Sequence, residues 1–289
     1  MLTRVDRVQL AVPDANAAAT NWKLLLGAEE AGVDSIKCLG AKRTSYRLGQ
    51  GWIEFLEADG TGAVADALAA RGGGHLFAGG AASNDVDGIL GHLESLNAKP
   101  IFEGGQIFLD PANTGPGTPR TVISADEDLA PVGDLDWLYE VTLLVKDQTQ
   151  ASQRYAELFN LDADHFVNIE STNYGYKGIL TLFHPDLLGR FEVIEPYDFD
   201  KTMGRFCAKF GEALYMGYGE SARVLEIEQR VKEHGLGHTV TPPGKADDRP
   251  SDTLFLHPAT LGGMMLGISR PTMGWQWSGH PERVENIDD

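Results

Sequence analysis

Cysteine is nearly absent from this chain. Cys38 and Cys207 stand far apart, with no CxxC pair, which excludes a disulfide framework and a thiolate zinc site and suits a reducing compartment. Basic residues are scarce as well: 24 Lys and Arg stand against 42 Asp and Glu, a formal net charge of −18. Such a surface releases no counterions from phosphates, so nucleic acid and anionic membrane surfaces are not expected as partners. No apolar run approaches the ~18 residues of a membrane span. The opening MLTRVDRVQL lacks the apolar stretch of a signal peptide, so a cytoplasmic protein is expected. The glycine-rich GGG (72–74) and AGGAAS (78–83) lack the GxxxxGK[ST] form of a phosphate loop, and no GxSxG elbow occurs. The eight histidines form no HxH pair. His75 is expected to face outward, His257 to shape a turn with Pro258, and His238 to reach a site mouth from a loop.

What is present is the composition of a globular protein, 42% apolar and 23% charged over 289 residues, enough for one large domain or two of ordinary size. The chain also repeats itself, and this is its most informative property. RVDRVQLAVPDANAAATNWKLLLG (4–27) resembles WLYEVTLLVKDQTQASQRYAELFN (137–160), so that Val8 falls on Val141. WIEFLEADG (52–60) resembles RFEVIEPYD (190–198), with Glu54 on Glu192. HLFAGGAAS (75–83) resembles ALYMGYGES (213–221) in the same register. Two similar halves are predicted, 1–130 and 135–275, followed by a tail over 276–289. The polar junction DEDLAPVGDLD (126–136) lies between the halves.

Within each half the pattern reads strand, helix, strands, twice over. Val8, Leu10 and Val12 alternate with Arg7, Gln9 and Ala11, as in a half-buried strand. Asp14 then caps a helix with the stripe Ala18, Trp22, Leu25 and Leu26. A second helix carries Val86, Ile89, Leu90, Leu93 and Leu96. Ala151, Tyr155, Leu158 and Phe159, then Val224, Ile227 and Val231, mirror these in the second half. Short extra helices are predicted near Val64–Ala70 and Met203–Phe210.

VDRVQLAVPD, WIEFLEADG, YEVTLLVKD, RFEVIEP and FLHPATLGGMMLGIS together resemble the vicinal oxygen chelate superfamily, the glyoxalase, bleomycin-resistance and extradiol-dioxygenase group. The resemblance covers nearly the whole chain. It implies an α+β fold: a tandem pair of domains, four βαβββ modules, with mixed sheets curled into cups. It is uninformative about activity, because the superfamily hosts lyases, isomerases, oxygenases and binding proteins. Strand alternation assigns Arg7, Gln9, Trp52, Glu54, Leu56, Ala78 and Gly80 to the first cup, and Glu140, Thr142, Arg190, Glu192, Met216, Tyr218, Met265 and Gly267 to the second.

Metal-binding relatives place histidine where this chain has Arg7 and Glu140, a second histidine at Ala78 and Met216, and a closing glutamate at Val122 and Gly267. Of these positions and the carboxylates beside them, Glu54 and Glu192 alone match, so the metal is read as lost and no cofactor is expected. Arg7 is then either a buried ion-pair partner of Glu54 or a group that binds a ligand's oxyanion. Glu140 and Glu192, close together with Arg190 nearby, are candidates for acid/base work. They are also open to holding a weak divalent site, or to simple neutralisation by Arg190. Gln9, Trp52, Glu54, Ala78, Arg190, Met216 and Tyr218 are the candidate substrate-binding residues, either lining an apolar cavity or interleaving as core. The reading is a metal-independent lyase or isomerase acting on a small hydrophobic or aromatic molecule, with Glu140, Glu192 and Arg7 as catalytic candidates. The alternatives are a ligand-sequestering protein and a residual metal-dependent glyoxalase or ring-cleavage enzyme. Whether the chain forms a homodimer is left open.

Overall fold

A computed structural model describes residues 1–286. The first module runs β1 (Leu2–Ala11), α1 (Ala15–Leu26), β2 (Glu29–Ile36), β3 (Ala41–Leu48) and β4 (Gly51–Ala58). A short helix, α2 (Ala63–Arg71), leads to the second: β5 (His75–Ser83), α3 (Val86–Ser95), β6 (Ile101–Glu103), β7 (Gln106–Leu109), the single turn α4 (Pro111–Thr114) and β8 (Thr121–Ala125). The third comprises β9 (Trp137–Leu144), α5 (Gln148–Phe159), β10 (Val167–Ser171), β11 (Tyr176–Leu182) and β12 (Arg190–Pro196). After α6 (Thr202–Phe210) comes the fourth: β13 (Ala213–Glu220), α7 (Val224–Glu233), β14 (His238–Thr241), β15 (Thr253–Leu256) and β16 (Met265–Ser269). The α+β class and the four βαβββ modules are those the resemblance implied. The strands form two eight-stranded sheets ordered β2-β3-β4-β1-β5-β8-β7-β6 and β10-β11-β12-β9-β13-β16-β15-β14. Among the described residues no helix is long and apolar enough to cross a membrane.

Local chemistry sets the ends of the helices. Asp14 accepts the Ala17 N–H and Asp147 that of Gln150, so each satisfies a donor at the open end of its helix. α1 stops at Gly27 in the left-handed region, and α5 stops at Asn160 in the same conformation. The buried stripe of α1 is Ala15, Ala19, Trp22, Leu25 and Leu26; Ala18, expected within it, is half-buried against Gly262. Trp22 meets Phe55 edge-on, and Phe55 meets Tyr46 in the same way. Tyr155, Phe159 and Phe191 pack the equivalent place in the third module.

By packing, the chain divides into two compact units. One contains Met1–Val5, Ala78–Glu127 and Glu140–Tyr215, and so the second and third modules. The other contains Asp6–Phe77, Asp128–Tyr139 and the chain from Met216 onward, and so the first and fourth. Inside the first of these units α3 packs on α5, with the His92 ring 2.8 Å from the Glu157 carbonyl oxygen, and Arg154 donates to the Thr114 carbonyl. Inside the other, α1 packs on α7, and Trp22 Nε1 and Asn21 Nδ2 donate to the carbonyls of Leu261 and Thr260.

Some expectations need correction. Gly74 lets the backbone pass against Gly262 and Gly263, where a Cβ on Gly74 or Gly263 would collide with the facing carbonyl. His238 begins strand β14, and its Nδ1 lies 2.9 Å from the Leu236 carbonyl oxygen. The tail folds as short 3₁₀ turns at Met273–Trp277 and Pro281–Arg283, with the Arg283 guanidinium 4.6 Å over the Trp275 ring. Its last three residues, 287–289, lie outside the described chain.

Candidate functional site

The first and third modules each turn one sheet face away from their packed helix, and two clusters of charge are buried there. In the first module β1 and β4 run parallel with Arg7 beside Trp52 and Gln9 beside Glu54. Arg7 Nη1 donates to Glu54 Oε1 at 2.9 Å, while its Nε and Nη2 donate to Asp6 Oδ2 at 3.0 and 2.7 Å. Gln9 Nε2 donates to Glu54 Oε2 at 2.7 Å. Arg43, on β3, adds a third donor to Glu54 at 3.3 Å and grips Asp34 with two N–H groups. Burial alone would lower the Arg7 pKa, but the charges of Asp6 and Glu54 and their hydrogen bonds outweigh it. The guanidinium therefore holds its proton more tightly than in water. Asp6, Asp34 and Arg43 were not singled out in the sequence. The alternation Arg43, Ser45, Arg47 along one strand face is the signal that points to Arg43.

The third module repeats the lattice with its charges rearranged. β9 and β12 pair Arg190 with Glu140 and Glu192 with Thr142. The cross-strand pair that holds Arg7 in the first module thus holds an arginine again, now on the fourth strand of the module. Arg190 Nε and Nη2 both reach Glu140 Oε2 at 2.7 Å, and Nη1 donates to the Leu188 carbonyl at 3.1 Å. Thr142 Oγ1 lies 2.6 Å from Glu192 Oε2 and 3.2 Å from Glu140 Oε1. A hydroxyl has one proton to give, and Glu192 is the nearer acceptor. Glu140, Thr142 and Arg190 are fully buried, and Glu192 is 5% exposed. Two carboxyl groups here share one cation. Burial, and then the charge of Glu140, hold the Glu192 carboxyl well above the ordinary carboxylate range, against the opposing pull of the Thr142 hydrogen bond and Arg190.

Tyr176, at the start of β11, was also missed. Burial raises its phenol pKa, and the charges of Glu192 and Glu140 raise it further, so it stays protonated. It packs with Met203, Phe206 and Tyr215 around Leu144, Ile194 and Cys207. The α6 segment MGRFCAKF was legible as a helix, but nothing in its spacing tied it to this face.

The remaining candidates are dispersed. Trp52 is half-buried, with the Arg47 guanidinium 5.1 Å over its ring. Ala78 is buried in the compact unit that holds Glu140, whereas Met216 and Tyr218 belong to the unit that holds Arg7. Tyr218 stacks on Tyr139, meets Phe255 and Trp277, and its ring covers Gly267. The fourth module is filled there by aromatic packing.

No protein-family model and no curated protein matches this sequence. Solved structures do match. A triple mutant of 4-hydroxymandelate synthase from Streptomyces coelicolor aligns over 93% of both chains with a TM-score of 0.71 at 14% identity. A xylose isomerase-like TIM barrel/4-hydroxyphenylpyruvate dioxygenase fusion protein aligns with 93% of this chain and 49% of its own, TM-score 0.63, 14% identity. The chain has the vicinal oxygen chelate fold. A hypothetical protein from Staphylococcus aureus aligns over 93% of this chain and 99% of its own, TM-score 0.55, at 8% identity. At such identities the vicinal oxygen chelate fold is what these structures share with this chain, and the chemistry has to be argued from its own residues.

Proposed function

We propose that this chain is a metal-independent enzyme of the vicinal oxygen chelate fold, a lyase or isomerase that moves a proton on a small hydrophobic or aromatic substrate. The observation that carries this is the sharing of one guanidinium by two buried carboxyls. Arg190 neutralises Glu140, so Glu192 stays neutral by keeping its proton. A carboxyl of raised pKa is a general acid in its protonated form and, once it has given up that proton, a stronger base than a solvent-exposed carboxylate. Glu140 and Thr142 position it, and Tyr176 supplies a second neutral donor.

Metal independence is supported by the donor set. Glu54 already accepts from Arg7, Arg43 and Gln9, and Glu140 from Arg190, so a dication brought to either would meet a guanidinium. Among the described residues no group of three or more His, Cys, Asp or Glu side chains is arranged to hold a metal ion. For Arg7 the closed network with Asp6 and Glu54 favours the ion-pair role over oxyanion binding. The charge of −18 supports a small-molecule partner over nucleic acid.

The test is proton exchange. Carbonyl compounds incubated with the protein in D₂O should take up deuterium at carbon, followed by proton NMR, and Glu192→Gln should slow this by about 10²-fold or more. Undiminished exchange in Glu192→Gln would refute the assignment. A sequestering protein is the second reading, favoured by the full pairing of charge in the first module; it binds ligand with no exchange at all.

A further inference from the structure

The fourth module presents a row of aromatic side chains, and the C-terminal segment of the same chain lies on it. We propose that this segment, residues 272–285, is a strained, displaceable cover, and that an uncharged planar aromatic ring takes the place of its Trp277 indole when it lifts. Glu192 lies in the other compact unit, so this proposal and the catalytic one stand or fall separately.

Strand register builds the face. Phe255 on β15 pairs with Gly267 on β16, and Gly267 pairs with Tyr218 on β13. The glycine leaves a gap between two aromatic residues, and the Tyr218 ring lies across it. Leu254, Leu256, Leu266 and Ile268, the alternate residues of β15 and β16, are fully buried. Tyr218, Phe255 and Met265 are only half-buried. The half-buried Trp277 ring sits 5.8 Å from that of Tyr218, which also meets Phe255 edge-on at 5.9 Å and stacks on Tyr139 at 5.9 Å. An indole resting against aromatic rings on an apolar face stands where a small aromatic ligand would.

The cover is hinged on a strained residue. Thr272 has φ 64° and ψ −11°, the left-handed region, which a β-branched residue rarely adopts. Glu220 accepts its N–H at 2.9 Å, and its Oγ1 accepts the Glu285 N–H at 2.9 Å. Further along, the N–H groups of Met273, Trp275 and Ser278 donate to the carbonyls of Arg270, Thr272 and Trp275, so these backbone bonds close on the segment itself and not on the sheet. Arg270, paired with Asp252, donates to the Glu285 carbonyl at 2.8 Å. Lifting the segment releases the strain at Thr272, which offsets part of what its contacts hold.

The probe is free indole, titrated against the full chain by ligand-observed NMR. A covered site lowers apparent affinity by the fraction of molecules that are open. Trp277→Gly should therefore bind indole at least about tenfold more tightly than the wild type, and Tyr218→Ala added to it should abolish the gain. Thr272→Asn suits the left-handed region better and keeps a side-chain oxygen as acceptor. It should weaken indole severalfold when Trp277 is present and change nothing in the Trp277→Gly background. In the wild type, saturating indole should quicken amide hydrogen exchange over Met273–Trp277 severalfold. Equal indole affinity in the wild type and Trp277→Gly overturns the proposal, as does a gain that survives Tyr218→Ala. So does exchange of the segment that stays level at saturating indole. An effect of Thr272→Asn that is the same in both backgrounds overturns the hinge.

Discussion

Arg7 is held from two sides, by Asp6 and by Glu54, and all three are at least nineteen-twentieths buried. Removing it strands charge. Arg7→Ala should cost about 3–5 kcal/mol, because Asp6 and Glu54 lose their shared cation in a dry environment. The drop in urea midpoint measures this. Arg7→Lys should recover little, since an ammonium lacks the fork that spans both carboxylates. Glu192 gives a prediction of opposite sign. Its folded pKa is raised, so the folded chain keeps a proton that the unfolded chain releases at ordinary carboxylate pH. The associated stability is complete below the ordinary range and is lost as pH climbs through the raised value. Urea midpoints measured across pH should show this loss in the wild type and not in Glu192→Gln, which should be the more stable protein at alkaline pH. At this scale strand alternation grouped Arg7 with Glu54, and Glu140 with Arg190 and Glu192, and these are side chains that meet in the structure. It could not supply Asp6, Asp34 or Tyr176, because alternation does not say how long side chains bend across a twisted sheet.

Strand β13 ends in Glu220, which is nearly buried and accepts the Thr272 N–H at 2.9 Å. Thr272 in turn accepts the Glu285 N–H, so one carboxyl anchors the C-terminal segment. Burial raises Glu220 from 4.5 to about 7, with Asp136 and Glu285 adding repulsion and the Thr272 N–H opposing it. The sign follows as for Glu192: stability is full below 4.5 and is lost as pH rises toward 7, by roughly 3 kcal/mol at most. Hydrogen exchange of the segment at Met273–Trp277 should quicken over that window in the wild type and stay level in Glu220→Gln. The aromatic packing at Tyr218 is equally specific. Gly267→Ala drives a methyl into its ring and should cost about 1–3 kcal/mol, read as a lower melting temperature. Elements were the most legible level in the sequence, including α2 and α6, since caps and periodicity are local. The filling of the fourth module by Tyr218 was less so, because an inward aromatic reads alike as cavity wall and as core.

The whole molecule interleaves its two sequence halves. Each compact unit takes one module from 1–130 and one from 135–275, joined by contacts such as α1 on α7 and α3 on α5. Fragments 1–130 and 131–289 should therefore each lack near-ultraviolet circular dichroism when expressed alone, recover it on mixing and co-elute on gel filtration. Independent folding of either fragment would contradict this. The repeat itself was plain in the sequence, as was the order of strands within each module. Which module packs with which was not: modules of one pattern carry interchangeable apolar stripes, and their periodicity does not specify a partner.

The same interleaving bears on why such modules stay on one polypeptide. Complements made as separate products would have to meet at matched abundance, with any surplus exposing unburied stripes to aggregation. A single reading frame fixes the stoichiometry at synthesis, so the linker is a supply arrangement as much as a tether.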